Sequence, residues 1–202
     1  MPVYSLDGII PVVDTTAFVH PMAVLIGDVL VGPRCYVGPG ASLRADIGRI
    51  RVAAGSNIQD NCVVHTFPGK EVVLEADAHI GHGAVLHGCR IRARALVGMN
   101  AIVMDDAMVG EEALVGAASF VRAGFVVPPR TLVLGTPARV VRELSAEEIQ
   151  WKARGTREYQ ELAVRCLKTL RECAPLTAPE ANRATFGPTG HEPLQAPGPR
   201  DT

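Results

Sequence analysis

The sequence has no excess of charge of either sign and no long apolar run. Twenty lysines and arginines stand against 21 aspartates and glutamates, so the formal net charge of the 202 residues is −1. This balance argues against the strong phosphate attraction on which nucleic-acid binding depends. No segment approaches the roughly 18 to 20 apolar residues that cross a bilayer, and the N-terminus does not resemble a signal peptide. We therefore expect a cytoplasmic protein that binds neither nucleic acid nor membranes.

The cysteines also form no recognisable framework. There are five of them, an odd number, and no two are spaced as CxxC. This usage fits a reducing compartment better than a set of disulfides.

The feature that organises the sequence is an apolar residue at every sixth position. One series runs through Val19, Leu25, Val31, Val37 and Leu43, and after an offset through Val52, Ile58 and Val64. A longer series runs in steps of six from Val73 to Val133, with His79 as its only polar member. Neither the period of a helix nor that of a simple strand explains this spacing. Stacked hexapeptide coils explain it, because identical inward positions then form apolar ladders from coil to coil.

The residues that follow each ladder position suit the corners of such coils. Glycine follows the ladder residue at positions 32, 38, 98, 110 and 116, where a side chain would crowd a corner or φ must become positive. The fourth residue after the ladder is small, and at Cys35, Cys62 and Cys89 it is a cysteine. We interpret these three cysteines as packed core residues rather than reactive thiols.

The predicted fold is therefore mainly β: a left-handed parallel β-helix of hexapeptide repeats over residues 1–142, followed by a C-terminal α-helical segment over 143–174. Ser145 and Glu148 form a capping-box pattern at the start of that segment. Gly155 predicts an interruption that divides it into a short helix and a longer one. Residues 175–202 are rich in proline and are predicted to be disordered.

Three histidines, His65, His82 and His87, are spaced as candidate metal ligands. His82 follows His65 by 17 residues, close to one coil of about 18. Five extended residues separate His82 from His87 by up to ~16 Å, whereas zinc ligands place their nitrogens ~2.1 Å from the ion. One chain would therefore have difficulty aiming both at one ion, and sharing the ion between subunits of a homotrimer removes the difficulty. On spacing alone, ordinary surface histidines remain an alternative.

The residues around these histidines carry a more specific pattern. It consists of R-x-D at residues 44–46, N-x-Q-D-N at 57–61, His65, and G-H-x4-H-G-C at 81–89. In this order the motifs closely resemble those of the γ-class carbonic anhydrase family. The resemblance implies Zn²⁺, or Fe²⁺ or Co²⁺ in its place, on His65, His82 and His87, with His82 supplied by the adjacent subunit.

The same resemblance implies roles for four further residues. Gln59 would orient the metal-bound water, while Arg44, Asp46 and Asp60 would form a charged network at the subunit interface. A solvated salt bridge is the alternative for Arg44 and Asp46, and a coil corner is the alternative for Gln59. His79, on the ladder register, is predicted to be packed or hydrogen-bonded.

An open position on the ion would generate a hydroxide nucleophile at neutral pH. Members of the γ-class family carry a glutamate proton shuttle, whereas this chain has a short loop at 66–71 and Ile47 after Asp46, which argues against fast CO₂ hydration. The C-terminal segment from Leu144 to Leu162 is similar to the phenylacetate-degradation branch of that family, the PaaY proteins, and to the related CaiE proteins of carnitine operons. That likeness implies a thioesterase in which the hydroxide hydrolyses dead-end ring-derived CoA thioesters of phenylacetate catabolism.

Two other functions remain open on the sequence alone, a carbonic anhydrase and a non-catalytic metal-stabilised scaffold. The arginines at positions 90, 92, 94, 122 and 130 are candidates for contacts with CoA phosphates, with solvated surface arginines as the alternative. Trp151 and Tyr159 are candidates for lining an acyl pocket, with packing of the helix against the prism as the alternative.

Overall fold

A computed structural model describes residues 1–187. In chain order its strands are β1 (Val3–Tyr4), β2 (Val12–Val13), β3 (Phe18–Val19), β4 (Val24–Val31), β5 (Tyr36–Val37), β6 (Ser42–Val52), β7 (Asn57–Ile58), β8 (Val63–His65), β9 (Glu71–Leu74), β10 (His79–Ile80), β11 (Val85–His87), β12 (Arg90–Ile91), β13 (Leu96–Val97), β14 (Ile102–Val103), β15 (Met108–Val109), β16 (Leu114–Val115), β17 (Phe120–Val121), β18 (Val126–Val127), β19 (Thr131–Gly135) and β20 (Ala138–Glu143). One helix, α1 (Ala146–Thr169), follows. No helix among the described residues is both long and apolar enough to span a membrane.

The strands form a left-handed parallel β-helix of about seven turns, which confirms the predicted fold class. The first face contains β1, the start of β4 and of β6, then β8, β11, β14 and β17. The second contains β2, the ends of β4 and β6, then β9, β12, β15 and β18. The third contains β3, β5, β7, β10, β13, β16 and β19, all parallel, and ends in the antiparallel β20. Each coil therefore adds one short strand to each face of a triangular prism.

The interior of the prism is the set of apolar ladders that the period of six predicts. Leu43, Ile58, Val64, Val97 and Val115, among others, have no exposed surface. The three corner cysteines are also buried, and burial raises the pKa of Cys35 and Cys62 to about 11 and that of Cys89 to about 12. Their thiols are therefore core groups, as predicted.

One part of the predicted ladder is wrong by one residue. Leu74, Ile80 and Leu86 point inward with no exposed surface, whereas His79 and Val85 are partly exposed on the outside. The shift arises at Gly88, whose φ of 54° closes a corner two residues after the inward Leu86. At most other corners the positive φ falls three residues after the inward residue, as at Asn61 after Ile58. The corner at Gly88 is thus one residue shorter, so the true series steps by five there and His79 lies outside the core.

The glycines that directly follow a ladder residue are required for close approach rather than for a positive φ. A Cβ atom on Gly98 would lie 2.6 Å from the backbone nitrogen of Ala117 and 2.8 Å from the carbonyl oxygen of Val115 in the next coil. Any side chain there would force the two coils apart.

Helix α1 is continuous over 24 residues, so the predicted interruption at Gly155 is wrong. The Ser145 hydroxyl accepts a hydrogen bond from the Glu148 backbone and the Glu148 carboxylate accepts one from the Ser145 backbone, which confirms the capping box. Gly155 is buried, and a glycine inside a helix costs only about 1 kcal/mol relative to alanine. Packing of the neighbouring buried Thr156 against the prism offsets that cost. Residues 175–187 contain no helix or strand, and the rest of the predicted tail lies outside the described residues.

Helix α1 runs back along the third face and packs on β3, β5 and β7. The Phe18 and Tyr36 rings stack 5.5 Å apart under the buried Ala163, and the Tyr159 ring lies 5.2 Å from Tyr36. The C-terminal half of the helix therefore covers the first coils of the third face.

The N-terminal half of the helix is held by a buried lysine. The Lys152 side chain is only 3% exposed, and its ammonium donates hydrogen bonds to the backbone carbonyls of Arg94, Glu112 and Ala113. Burial lowers the pKa of Lys152 to about 8, although the charge of Glu112 opposes this shift. Lys152 thus spans the space between the helix and the prism.

This burial predicts a pH-dependent contribution to stability. The folded-state pKa of Lys152, about 8, lies below the ordinary value of 10.5, so folding releases a proton between these pH values. The penalty for burying the charge is present near pH 7 and disappears as the pH rises. Relative to Lys152→Met, the free energy of unfolding of the wild type should rise by up to roughly 3 kcal/mol between pH 7 and pH 10.

Urea unfolding of the wild type and of Lys152→Met at several pH values measures the difference between their free energies of unfolding. The titration of all other groups cancels in that difference. Lys168→Met, an exposed lysine in the last turn of the same helix, is the control and should show no such trend. A difference that stays constant with pH for Lys152→Met would show that its amine titrates normally.

Candidate metal centre and adjoining groove

Two of the three predicted ligands, His65 and His87, lie side by side on the first face. They occupy the last positions of β8 and β11 and are paired in register. Each directly follows an inward residue, Val64 or Leu86, so each ring points outward. Nδ1 of His65 lies 3.1 Å from Nε2 of His87, and we call these two residues the His65/His87 pair.

A carboxylate holds the far nitrogen of each ring. Nε2 of His65 lies 2.9 Å from Oδ1 of Asp46, and Nδ1 of His87 lies 2.6 Å from Oδ1 of Asp105. Arg44 forms an ion pair with the other oxygen of Asp46. Burial raises the pKa of Asp46, but hydrogen bonds from Arg44 and His65 outweigh that effect and hold the pKa below its usual value. Asp46 is therefore an ionised acceptor.

These contacts determine which nitrogens of the His65/His87 pair carry hydrogen when both rings are neutral. An ionised carboxylate only accepts hydrogen bonds, so each ring donates its N–H to its aspartate. The remaining lone pairs, on His65 Nδ1 and His87 Nε2, then face each other at 3.1 Å. Two facing lone pairs repel unless a proton or a cation lies between them. The spacing is close to that of two ligands on one tetrahedral zinc ion, because bonds of ~2.1 Å place two such nitrogens ~3.4 Å apart. The pair fits two ligand positions of one ion.

His82 lies elsewhere on the same chain, at the corner between the third and first faces. Its Nδ1 lies 3.3 Å from Oδ2 of Asp60, and its Nε2 lies 3.4 Å from the Tyr159 hydroxyl. The side chain is 44% exposed. Within residues 1–187 of one chain, no three histidine, cysteine, aspartate or glutamate side chains are grouped to hold a metal ion. One chain therefore brings together two of the predicted ligands but not the third.

Gln59 lies near His82 rather than near the His65/His87 pair of its own chain. It is 3% exposed, and its amide nitrogen lies 3.0 Å from the Asn57 side-chain oxygen and 2.7 Å from Nε2 of His79. His79 also contacts the Thr156 hydroxyl of α1 at 3.2 Å. His79 is thus hydrogen-bonded, as predicted, but on the outer surface of the third face.

A groove of about 340 Å³ separates the N-terminal half of α1 from the third face. Its polar end contains Gln59, His79 and His82. Its apolar end is formed by Leu96 and Leu114 of the sheet, by Met99 at a corner and by Trp151 of the helix. Trp151 and Tyr159 both line this groove, and Tyr159 also packs on the prism, as the alternative of helix packing predicts.

The predicted phosphate-binding arginines are mostly engaged by carboxylates. Arg90 and Arg92 pair with Glu75, Arg94 pairs with Glu111 and Glu112, and Arg130 pairs with Glu112. The Arg122 guanidinium lies 5.6 Å from the centre of the Phe125 ring. These contacts favour the alternative of solvated surface arginines.

Two further residues near the site, Asp105 and Glu158, lie outside the sequence motifs. Asp105 follows His87 by 18 residues, one coil, and this spacing is the signal that identifies it. Glu158 lines the groove, and its Oε1 atom is buried without a hydrogen-bond partner among residues 1–187. Only the packed helix reveals that second feature.

Comparisons with known proteins agree with the β-helix. No protein-family model matches the chain. The carnitine operon protein CaiE of Citrobacter koseri is 54% identical over 197 residues, which cover 97% of this chain and 100% of that protein. A hexapeptide transferase family protein from Anaplasma phagocytophilum is 36% identical, with a TM-score of 0.78 over 81% of this chain and 97% of that one. A Bacillus cereus protein described as a candidate acetyltransferase is 35% identical, with a TM-score of 0.79 over 80% and 94% of the two chains.

Proposed function

Because the chain belongs to the CaiE family of hexapeptide-repeat proteins, we propose that it is a metal-dependent hydrolase of acyl-CoA thioesters that acts as a homotrimer. The observation that carries this proposal is the His65/His87 pair. Its two inner nitrogens face each other at 3.1 Å, and each ring is anchored from behind by a carboxylate. Carboxylates in this second shell are typical of histidines that bind metal ions. A Zn²⁺-class ion, with Fe²⁺ or Co²⁺ as substitutes, fits this donor set.

The third ligand in this proposal is His82 of a neighbouring copy. The outer surface of the first face supports a contact between copies, because its outward residues form an apolar stripe. Val63, Val85, Ile102 and Phe120 pair in register along it, and Val63 and Ile102 are 44% and 37% exposed. This stripe begins just after the His82 corner and lies beside the His65/His87 pair. Three prisms that cover one another's stripes in a closed ring would bring each pair to a neighbour's His82.

When bound, the ion would supply Lewis acidity, which lowers the pKa of water and polarises a carbonyl. The residues of the chain would have separate tasks. Asp46 and Asp105 hold the two rings in one tautomer, Arg44 keeps Asp46 ionised, and Asp60 orients His82. Gln59, hydrogen-bonded to His79, would orient the attacking water.

The substrate class in this proposal is an acyl-CoA thioester. The sequence likeness to the phenylacetate-degradation branch suggests ring-derived acyl groups, and the relatives named for carnitine operons suggest carnitine-related ones. Phe67 is 54% exposed, and its ring centre lies 5.0 Å from that of His87, so an apolar side chain borders the candidate centre. No carboxylate occurs in residues 66–70, the start of the loop after His65. An apolar border suits a thioester better than the proton transfer that rapid CO₂ hydration requires.

Turnover with and without metal tests the proposal. Protein stripped by a chelator should lose at least about a hundredfold of its thioesterase rate and should regain it with Zn²⁺, Co²⁺ or Fe²⁺. The assay follows release of free CoA from phenylacetyl-CoA, acetyl-CoA and a carnitine-related CoA ester. The proposal is wrong if chelation leaves turnover unchanged, or if no thioester in the panel is hydrolysed by the metal-loaded protein.

Acyl transfer is the second candidate, favoured by the description of two similar solved structures as transferases. In that case an amine or hydroxyl compound would replace water as the acyl acceptor. The same assay separates the two functions, because a transferase would release CoA only when an acceptor is added. The resemblance to γ-class carbonic anhydrases keeps CO₂ hydration as a further outcome, detected by proton release in CO₂-saturated buffer.

A further inference from the structure

The groove beside α1 differs from the rest of the contact between helix and sheet. Over the first coils, the aromatic residues Phe18 and Tyr36 fill the space beneath the helix and meet Ala163 directly. Three to five coils further along the same face, the helix stands away from Leu96 and Leu114 and leaves the groove of about 340 Å³. Lys152 maintains this separation, because its buried ammonium is fixed to three backbone carbonyls of the prism. The space is therefore built into the fold.

The helix itself has a gap at the centre of the groove. Gly155 lines the groove and has no side chain. Trp151 lies one turn before Gly155, and Glu158 and Tyr159 lie one turn after it on the same side of the helix. All four residues line the groove. The gap is thus bounded by an indole at one end and by a carboxylate and a phenol at the other.

The carboxylate is the most informative of these groups. Oε1 of Glu158 is buried and accepts no hydrogen bond within residues 1–187. A buried acceptor without a partner is unfavourable, and a ligand that complements its charge would relieve that cost. The other ionisable groups that line the groove are His79, His82, Tyr159 and Lys152, and the Lys152 ammonium is committed to three carbonyls.

A quaternary ammonium group satisfies this environment. It carries a full positive charge that complements a carboxylate, it has no N–H that needs an acceptor, and its methyl groups contact aromatic faces and apolar side chains favourably. A primary ammonium would need several acceptors, and around the gap at Gly155 the Trp151 side chain and the two leucines beneath the helix, Leu96 and Leu114, offer none.

We propose that this groove binds the acyl portion of the thioester substrate, and that this acyl portion carries a quaternary ammonium group, held beside Glu158 and Trp151. The inference rests on the proposed function, because His82 at the polar end of the groove would then place the reacting carbonyl. His79, Leu96 and Leu114 are paired in successive strands, so the groove extends over two strand spacings, roughly 10 Å. A groove of this length has room for a short acyl chain with a trimethylammonium end.

Binding of the isolated acyl group tests the inference without any catalytic step. Trp151 is the only tryptophan in the chain, so its fluorescence reports directly on the groove. The probes are γ-trimethylammoniobutyrate and a neutral analogue in which a tert-butyl group replaces the trimethylammonium group. The cationic probe should shift the fluorescence and bind about tenfold more tightly than the neutral one. Equal binding of both probes, or binding of neither, would overturn the inference.

Glu158→Gln removes the charge while keeping the size of the side chain. This variant should bind the cationic probe about tenfold more weakly and the neutral probe as the wild type does. Glu161→Gln, an exposed glutamate one turn further on that does not line the groove, is the control and should bind both probes normally. Loss of affinity for both probes in Glu158→Gln would mean that Glu158 only shapes the groove.

The corresponding CoA esters connect the groove to turnover. Metal-loaded wild type should hydrolyse the cationic thioester with about tenfold higher kcat/KM than the neutral one, and Glu158→Gln should remove that preference. If the protein hydrolyses no thioester but the cationic probe still binds in a Glu158-dependent way, the proposed hydrolase fails and the groove assignment stands. If hydrolysis occurs with no preference between the two esters, the hydrolase stands and the groove assignment fails.

Discussion

Neither His65→Ala nor His82→Ala should hydrolyse thioesters alone, yet unfolding and refolding the two variants together should restore about a quarter of the wild-type rate. Each interfacial site in the proposed trimer takes His65 and His87 from one copy and His82 from the next. In a random mixture of the two variants, one interface in four joins an intact His65/His87 pair to an intact His82. Each variant alone should fall by at least about a hundredfold, because every site then lacks a ligand.

The measurement is CoA release together with bound metal per chain, before and after mixing. A mixture of His65→Ala and His87→Ala is the control, because both changes damage the same half of the site and no interface can be intact. If His82→Ala alone retains metal and turnover, or if the first mixture gains no activity, His82 does not complete a site with a neighbouring pair.

Leu86→Ala is expected to lower the free energy of unfolding by about 2–5 kcal/mol, whereas Val85→Ala should cost less than about 1 kcal/mol. Leu86 has no exposed surface and belongs to the inward ladder, while Val85 is partly exposed on the outside of the first face. A simple count in sixes makes the opposite assignment, with Val85 inside. Urea unfolding of the two variants therefore determines which residue lies in the core. If Val85→Ala lost more free energy of unfolding than Leu86→Ala, Val85 would be the inward residue. The assignment of a shorter corner at Gly88 would then be wrong.

The period of six was sufficient to predict the β-helix, because one inward residue per short strand is a direct consequence of stacking coils. It was not sufficient to predict the phase in the coil that contains His79. In that coil the step from the inward Leu86 to Ile91 is five residues. Counting back from Ile91 in sixes instead gives Val85, His79 and Val73, so the count alone does not reveal the shorter step at Gly88. The helix start was readable from Ser145 and Glu148, since capping is local. The continuity of the helix through Gly155 could not be predicted from the sequence, because it depends on packing of the helix against the prism.

The candidate site divides in the same way. The motifs identified His65 and His87, and the structure brings them together because they end strands that are neighbours in the first face. Asp105 lies outside these motifs, and the only sequence signal for its contact with His87 is their spacing of one coil, since the contact arises from the stacking of one coil on the next. The groove could not be read from the sequence, because it exists only where the helix stands away from the sheet over Leu96 and Leu114.

A stack of coils that touch only their immediate neighbours tends to fray from its open ends, because losing an end coil breaks few contacts. In this protein α1 follows the last coil but rests on strands β3, β5 and β7 of the early ones. The first coil cannot peel away without exposing Phe18 and Tyr36, and the helix cannot detach without withdrawing Lys152 from its carbonyls. Helix α1 thereby links the two ends of the prism. We therefore expect the stacked coils to unfold together as one cooperative unit rather than coil by coil.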